Sequence, residues 1–223
     1  MNDLPPPGEH ARKSSPAAPR GRVGCRLSLG RMLRLAATNV GDPERSELEN
    51  FVGAAFRRKH EATVTSFMPT LLSFRDPAGG LRGVVGLRGA GDQSLYLEQY
   101  LEQPVDVAIA AATRRPVRRQ QVVEVGNLAG ANCRTAVRMV ALLPSYLLAH
   151  ECQWIVFTAT SAVRAILLGF GAPLVELARA DGTRIARGAD QWGSYYETDP
   201  RVFAGFLPDS RNIPGFAAAG HDH

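Results

Sequence analysis

Residues 122–129 read VVEVGNLA, a β-branched run that carries one carboxylate, Glu124, and is interrupted by Gly126 before Asn127. A second apolar run, WIVFTAT at residues 154–160, follows a stretch of helical pattern. Two such strands joined by a crossover helix are typical of a parallel pair inside a mixed sheet. The pattern therefore predicts an α/β (α+β) fold built around these two strands. The charge, the glycine and the amide on the first strand indicate a functional site.

The remaining segments predict further elements around this pair. Asp42 fits the N-cap of a first helix, Pro69 marks an edge or bulge in a strand, and Pro144 predicts a kink in the crossover helix. Gly169 fits the residue that ends the next short helix. We expect helices at residues 42–62, 105–112, 133–151 and 161–168, and strands at residues 64–74 and 81–87.

Composition and charge define the domain organisation. The chain has 223 residues, 45% of them hydrophobic, which suits one domain with a substantial core. Its net charge of +5 comes entirely from residues 1–34, which hold seven basic and two acidic residues, whereas nineteen of each sign follow from Leu35 onward. A neutral body removes the electrostatic argument for nucleic-acid binding. We expect a basic, largely disordered tail at residues 1–34, a single domain at residues 35–210 and a flexible tail at residues 211–223.

The sequence also bears on the compartment. No apolar run reaches the roughly 18 residues that span a bilayer, and the opening residues MNDLPPPGEHARK lack an apolar signal-peptide core. The three cysteines, Cys25, Cys133 and Cys152, form no CxxC pair and favour a reducing compartment, and the five histidines show no metal-ligand spacing. We expect a cytoplasmic protein with no integral membrane segment and no metal site.

Four separated blocks carry a family resemblance. They are LYLEQYLEQPVD at residues 95–106, VVEVGNLAG at 122–130, WIVFTAT at 154–160 and WGSYYETDPRVFAG at 192–205. Over residues 40–207 the chain resembles the thermostable hemolysin family, whose members resemble in turn the GNAT acyltransferases and their acyl-homoserine-lactone synthase branch. The resemblance implies a GNAT-like mixed central sheet flanked by helices. It also implies that the two central strands splay apart to admit an acyl thioester.

The same resemblance implies an activity. It is acyl transfer from a carrier-protein or coenzyme A thioester to a small amine, with acyl-phosphopantetheine or acyl-CoA as co-substrate and no permanently bound cofactor. Glu124 can act as the base that takes a proton from the amine, and the Asn127 amide can stabilise the oxyanion. A bulge at Gly126 would leave main-chain groups free to pair with a pantetheine arm. The residues expected along the thioester are Val125, Gly126, Leu128, Ala129, Arg134, Thr158, Thr160 and Arg164, and those expected around the substrate are Trp192, Tyr195 and Tyr196.

Departures from the relatives narrow the choice of donor. GNAT acetyltransferases bind the coenzyme A pyrophosphate through a (Q/R)xxGx(G/A) loop, whereas residues 130–134 offer one glycine and a shifted arginine. A carrier-protein thioester fits this difference better, because it brings no adenosine diphosphate part. Asn127 stands where the ExxR pattern of the lactone synthases has its arginine, so homoserine-lactone synthesis is not supported. An acidic carrier protein could meet the basic patch formed by Arg114, Arg115, Arg118 and Arg119.

Each candidate residue also has a structural interpretation. Glu124 can form a buried ion pair with an arginine, Asn127 can be a hydrogen-bonded structural amide, and Arg164 can be an exposed helix residue. The aromatic residues can belong to the core. Two other functions stay open at this point. One is a membrane-active hemolysin, as the family name indicates, and the other is a non-catalytic module that binds an acyl carrier.

Overall fold

The computed structural model describes residues 33–185 and 189–213. The tail expected at residues 1–34 lies outside the described residues except for its last two positions, and so does the tail expected at residues 211–223 beyond Ile213. Cys25 also lies outside them. The described chain forms a mixed sheet of seven strands with helices, which confirms the predicted fold class.

The regular elements have well-defined bounds. The strands are β1 (Arg34–Asn39), β2 (Thr70–Arg75), β3 (Leu81–Gly89), β4 (Val122–Gly130), β5 (Trp154–Ala159), β6 (Leu174–Arg179) and β7 (Arg201–Phe206). The α-helices are α1 (Arg45–His60), α2 (Val105–Thr113), α3 (Cys133–Ala149) and α4 (Ser161–Phe170). Short 3-10 helices lie at Tyr96–Tyr100, Arg119–Gln121, Gly182–Arg184, Ala189–Thr198 and Leu207–Asn212. Within residues 33–185 and 189–213, no helix combines the length and the hydropathy that crossing a membrane requires.

The strands follow the order β1-β2-β3-β4-β5-β7-β6 across the sheet. The β4–β5 pair is parallel and α3 connects its two strands, as the sequence predicted. The other five neighbouring pairs are antiparallel. Because a parallel pair needs a crossover connection, the helical pattern between the two apolar runs was sufficient to place them side by side.

Helices cover both faces of this sheet. Side chains alternate between the faces along each strand, so Val122 and Val123 of β4 enter different clusters. The first face packs against α1, α2 and the Tyr96–Tyr100 helix. The second packs against α3 and α4. We call them the α1 face and the α3 face. Full burial of a large apolar side chain contributes about 1.5–3 kcal/mol, so the two layers supply most of the stability.

The strand expected at residues 64–74 is shorter than predicted. β2 begins only at Thr70, and residues 61–69 cross the α1 face without regular structure. Proline lacks a donor for the ladder. In addition, the buried guanidinium of Arg45 donates hydrogen bonds to the carbonyl oxygens of Met68 at 2.6 Å and Pro69 at 3.0 Å. These carbonyls are therefore occupied by α1 instead of a neighbouring strand.

Two helix ends also differ from the prediction. Asp42 does not cap α1, because its carboxylate accepts a hydrogen bond from the Asn39 N–H at 2.6 Å and closes the preceding turn. The helix begins at Arg45 instead. Gly169 lies inside α4, which ends at Phe170 and is capped by Gly171 with a left-handed φ of 70°. Glycine tolerates that conformation without strain, so the second glycine, not the first, terminates the helix.

Candidate functional site

The parallel strands at the centre of the sheet are paired over only part of their length. The β4–β5 pairing runs from Val122 opposite Trp154 to Val125 opposite Phe157 and ends there. Beyond Val125, β4 stays with β3, while β5 continues along β7. The two central strands therefore part at their carboxyl ends and leave a gap in the sheet.

A β-bulge lies on β4 beside this gap. Gly86 of β3 faces Gly126, whereas Val84 faces Ala129, so β4 has one more residue than β3 in this interval. The backbone of Asn127 is left-handed, with φ of 47°. The bulge expected at Gly126 is therefore centred one residue later. Asparagine is among the few residues other than glycine that adopt this conformation routinely.

The glycines on either side of the ladder admit Met68. A Cβ on Gly86 would lie 2.6 Å from Met68 Cγ and 2.8 Å from Asn127 Oδ1, and a Cβ on Gly126 would lie 2.5 Å from Met68 Cε. The Met68 N–H donates a hydrogen bond to Asn127 Oδ1 at 2.9 Å. Asn127 thus ties residues 61–69 to the bulge, so its side chain has a structural contact at the edge of the gap.

These two glycines make a matched pair for a stability test. Gly86→Ala brings the new methyl against Cβ and Cγ of Met68, which lie close to the backbone, and we expect it to lower the free energy of unfolding by about 1–2 kcal/mol. Gly126→Ala meets only the flexible end of the same side chain, so its effect should be near zero. Urea unfolding followed by circular dichroism measures both, and equal losses would contradict the proposed packing.

A cavity of about 980 Å³ passes through the gap and is lined from both faces of the sheet. Its wall on the α3 face is apolar and includes Leu143, Phe157 and Leu207. Its wall on the α1 face carries the charged groups. Eleven of the thirteen residues predicted for the site line it, namely Glu124, Val125, Gly126, Asn127, Leu128, Ala129, Thr158, Thr160, Trp192, Tyr195 and Tyr196.

Arg134 and Arg164 are the two predicted residues that do not line the cavity. Arg134 is exposed on the first turn of α3. Arg164 forms an ion pair with Asp199 at 3.4 Å. This contact pairs the charge of Arg164 within the fold and links α4 to the loop that leads into β7.

Glu124 is the buried carboxylate of the site, with 3% of its surface exposed. Its oxygens accept hydrogen bonds from the Tyr96 N–H at 2.8 Å and the Leu97 N–H at 2.9 Å, at the start of the 3-10 helix. Burial raises the pKa of Glu124, although these two bonds and Arg88 oppose the shift. A carboxylate has about four lone-pair sites, so acceptor capacity remains on both oxygens.

Arg88 is a site residue that the sequence analysis missed. It faces Glu124 across the β3–β4 ladder, with Nη1 3.9 Å from Oε2, and it lines the cavity. Its Nε is buried and has no hydrogen-bond acceptor among the described residues. In the sequence, Arg88 stands at the end of an apolar run beside Gly89, a pattern that predicts an exposed strand end. Only its position opposite Glu124 in the β3–β4 register identifies it as a site residue.

Thr160 is the second residue with an unused polar atom. It is 4% exposed and lines the cavity, and its hydroxyl finds no partner within the part of the chain that the structure describes. It immediately precedes α4, where a threonine hydroxyl commonly accepts a hydrogen bond from the helix, yet no such bond forms. The Thr160 hydroxyl is therefore available to a bound molecule.

Aromatic side chains build the rest of the α1-face wall. Trp192 donates a hydrogen bond to the Tyr96 hydroxyl at 3.1 Å, and the hydroxyls of Tyr100 and Tyr196 are 2.7 Å apart. Burial raises the pKa of each of these three tyrosines, so they remain neutral hydroxyls. Trp192, Tyr195 and Tyr196, which were expected around the substrate, thus share a compartment with Glu124.

His60 closes this compartment at the end of α1. Its ring lies 5.4 Å from that of Tyr195 and 6.0 Å from that of Phe56. Burial, together with the neighbouring charge of Lys59, lowers the pKa of His60, which favours the neutral imidazole. His60 ends a basic run, residues 57–60, in the last turn of α1, where positive charge is favoured by the helix dipole.

The basic patch considered for a carrier protein is partly used inside the fold. Arg119 pairs with Glu98 at 2.7 Å, and Arg115 pairs with Asp209 at 3.3 Å. The other two arginines of the patch are exposed. All four precede β4, at the opposite end of that strand from the gap.

Solved structures of several synthases share this fold. Among solved structures, the AHL synthase LasI matches with a TM-score of 0.55 at 9% identity, over 83% of this chain and 96% of its own. FeeM, an N-acyl amino acid synthase from uncultured soil microbes, matches with a TM-score of 0.51 at 12% identity, over 86% and 100%. MesI, a CoA-dependent acyl-homoserine lactone synthase, matches with a TM-score of 0.50 at 14% identity, over 85% and 97%.

Identities this low establish the fold alone, which the chain shares with the acyl-homoserine-lactone synthases, as the resemblance implied. No curated protein sequence gives a significant match to the chain. The family is established by a separate comparison, because the profile named Thermostable hemolysin matches residues 38–211, which is most of the chain. The chain therefore belongs to the thermostable hemolysin family.

Proposed function

We propose that this protein is an acyltransferase that moves an acyl group from a carrier-protein or coenzyme A thioester to an amine. The observation that carries the proposal is the cavity between the parted strands, with the buried carboxylate of Glu124 on its wall. The fold shared with LasI, FeeM and MesI supports it, because each of those proteins is named for the synthesis of an acylated product.

The gap supplies a binding mode for the donor. Beyond Val125, the edge of β4 that faces β5 has no strand partner among the described residues. An extended pantetheine arm can pair with such an edge as an added strand, which directs its thioester toward the centre of the sheet. The apolar chamber on the α3 face can then take the acyl chain. Each buried methylene contributes about 0.8 kcal/mol, so chain length should strongly affect affinity.

The reaction proceeds by attack of the neutral amine nitrogen on the thioester carbonyl carbon. A C–N bond forms, the carbonyl electrons move to oxygen, and Glu124 takes a proton from the nitrogen. Collapse of this intermediate breaks the C–S bond, and the sulfur leaves with the bond's electron pair and receives the proton. The Thr160 hydroxyl and the Asn127 amide are candidate donors to the oxyanion.

Two donor classes fit this scheme. MesI is named as CoA-dependent, whereas the single glycine in residues 130–134 favours a carrier-protein thioester in this chain. The arginines before β4 support carrier docking only in part, since Arg115 and Arg119 are already paired within the protein. Both donors therefore belong in the test.

The test is a donor and acceptor panel with the purified protein. Decanoyl-CoA and decanoyl-carrier protein are each incubated with amino acids and with simple amines, and new amides are sought by mass spectrometry. We expect an amide that requires protein, donor and amine together, and that is absent with heat-denatured protein. Tight binding of the donors with no amide under any combination would contradict the proposal and indicate a non-catalytic module.

A liposome assay tests for membrane lysis, which is the activity that the family name describes. Liposomes loaded with a self-quenching dye are mixed with the protein alone and with protein plus donor and amine. We expect no release from the protein alone, and release only when an amphiphilic amide accumulates. Dye release by the protein without any donor would overturn the proposal in favour of direct membrane lysis.

A further inference from the structure

We infer that the acceptor amine is an α-amino acid, and that Arg88 binds its carboxylate while Glu124 faces its nitrogen. The inference rests on the proposed acyl transfer and specifies the acceptor for the same site. It starts from Arg88, whose side chain is only 15% exposed. A guanidinium this deeply buried needs acceptors for its five donors, since an unpaired buried charge is unfavourable.

The described residues do not supply all of those acceptors. The nearest acidic atom to Arg88 is Glu124 Oε2 at 3.9 Å, which is beyond hydrogen-bonding distance. Nε of Arg88 has no acceptor within residues 33–185 and 189–213. Glu124 is held in place by two main-chain N–H groups, so its position does not depend on Arg88. The structural ion pair that would explain both residues is therefore incomplete.

The charge on the cavity wall also favours a ligand that carries a carboxylate. In the described part of the chain, Glu124 is the only acidic residue that lines the cavity, while Arg58, Lys59 and Arg88 are basic. A ligand that carries only an amine would bring a further positive charge into this surrounding. A ligand with a carboxylate offsets it, and a carboxylate matches the two-pronged donor geometry of a guanidinium.

The spacing of the two residues restricts the kind of amino acid. Arg88 and Glu124 are directly opposite across two neighbouring strands, and their charged ends are 3.9 Å apart. The carboxylate and nitrogen of the ligand must therefore be close together. An α-amino acid meets this condition, because both groups are attached to one carbon. An ω-amino acid such as 6-aminohexanoate separates the two groups by five methylenes, so it matches the spacing of the two residues less well.

Turnover measurements test the inference with matched acceptors. Leucine is compared with leucinamide and isopentylamine, which lack the carboxylate, and with 6-aminohexanoate. We expect leucine to be preferred by about 10- to 100-fold in kcat/KM, as for a charge-assisted pair of hydrogen bonds. Arg88→Gln should remove that preference, and Arg88→Lys should keep only part of it. Equal use of leucine and isopentylamine by the unmodified protein would overturn the inference.

A binding measurement separates this inference from the proposed function. Calorimetry compares N-octanoyl-leucine with N-isopentyloctanamide, which lacks the carboxylate, and needs no catalysis. We expect about 10- to 100-fold tighter binding of the acid, lost in Arg88→Gln and retained in Arg57→Gln. Arg57 is an exposed arginine of α1 outside the cavity lining. Thermal unfolding of each variant checks its fold. Tighter binding of the acid in a protein without turnover would contradict acyl transfer but support the carboxylate site, whereas equal binding would overturn the site.

Discussion

Replacement of Glu124 by glutamine is expected to lower kcat/KM for acyl transfer by about 10²- to 10⁴-fold, the usual contribution of a positioned general base. The amide side chain keeps the size of glutamate and can still accept one of the two main-chain N–H bonds, but it cannot take a proton from the amine. Steady-state kinetics with one donor and one amine measures the loss. Full activity in Glu124→Gln would exclude the residue as the base.

Glu98 provides the matched control for this substitution. It holds the same 3-10 helix by accepting hydrogen bonds from the Leu95 and Val105 N–H groups, but it does not line the cavity. Arg119 beside it lowers the pKa of Glu98 to about 2. Glu98→Gln should therefore reduce the thermal stability and leave kcat nearly unchanged. A comparable loss of rate in both variants would mean that Glu124 acts only through the fold.

The pH dependence offers an independent test of the same role. Burial raises the pKa of Glu124 above the ordinary value of 4.5, and a base must be ionised to act. The rate should consequently rise with pH through a limb that lies above that value, and this limb should be missing in Glu124→Gln. Comparing the two profiles with the same amine removes the ionisation of the amine itself. An identical acidic limb in both proteins would contradict the assignment.

The largest loss of stability is expected from Gly193→Ala, at about 2–5 kcal/mol in the free energy of unfolding. Gly193 has φ of 51° and ψ of −130°, a combination that residues with a Cβ avoid. An added Cβ would also overlap the main-chain carbonyl oxygen of His60. The substitution must therefore push the Ala189–Thr198 segment away from the end of α1. Trp192 is adjacent, so urea unfolding can be followed by tryptophan fluorescence as well as by circular dichroism.

Gly169→Ala is the control for the general effect of adding a methyl group. Gly169 lies inside α4, and a Cβ there would meet no atom within 4 Å. Alanine is favoured over glycine in a helix by about 0.5–1 kcal/mol, so this variant should be more stable than the parent protein. If Gly193→Ala unfolded at the same urea concentration as the parent, the close contact between the two segments would be refuted.

The centre of the fold was predictable because its signals are local. The β-branched runs at residues 122–129 and 154–160 and the helical pattern between them determine a parallel pair without reference to the rest of the chain. The position of Glu124 on the cavity wall follows from the same register. The first strand, β1, was not predicted, since its sequence RLAATN has little apolar periodicity and depends on pairing with β2.

Other features depend on contacts between distant residues. The absence of a strand before Thr70 follows in part from Arg45, which reaches Met68 from α1, and the importance of Arg88 follows from its register with Glu124. The sequence indicates a bulge at Gly126 because glycine is the usual flexible residue. In the structure, Gly126 admits the Met68 side chain and Asn127 adopts the left-handed backbone, so the bulge lies one residue later. Sequence spacing alone does not distinguish these two uses.

If the proposed acyl transfer takes place, the gap between β4 and β5 also governs how the product leaves. In the proposed reaction, an N-acylated product formed there would have its head group on the α1 face and its acyl chain on the α3 face, so it would pass through the gap in the sheet. The ladder that ends at Val125 and Phe157 closes one side of the passage, and withdrawal must proceed lengthwise through the open side. Each methylene drawn out of the apolar chamber costs about 0.8 kcal/mol, which slows escape about fourfold. The tail that is held best is therefore also the one released most slowly, and turnover should peak at an intermediate chain length.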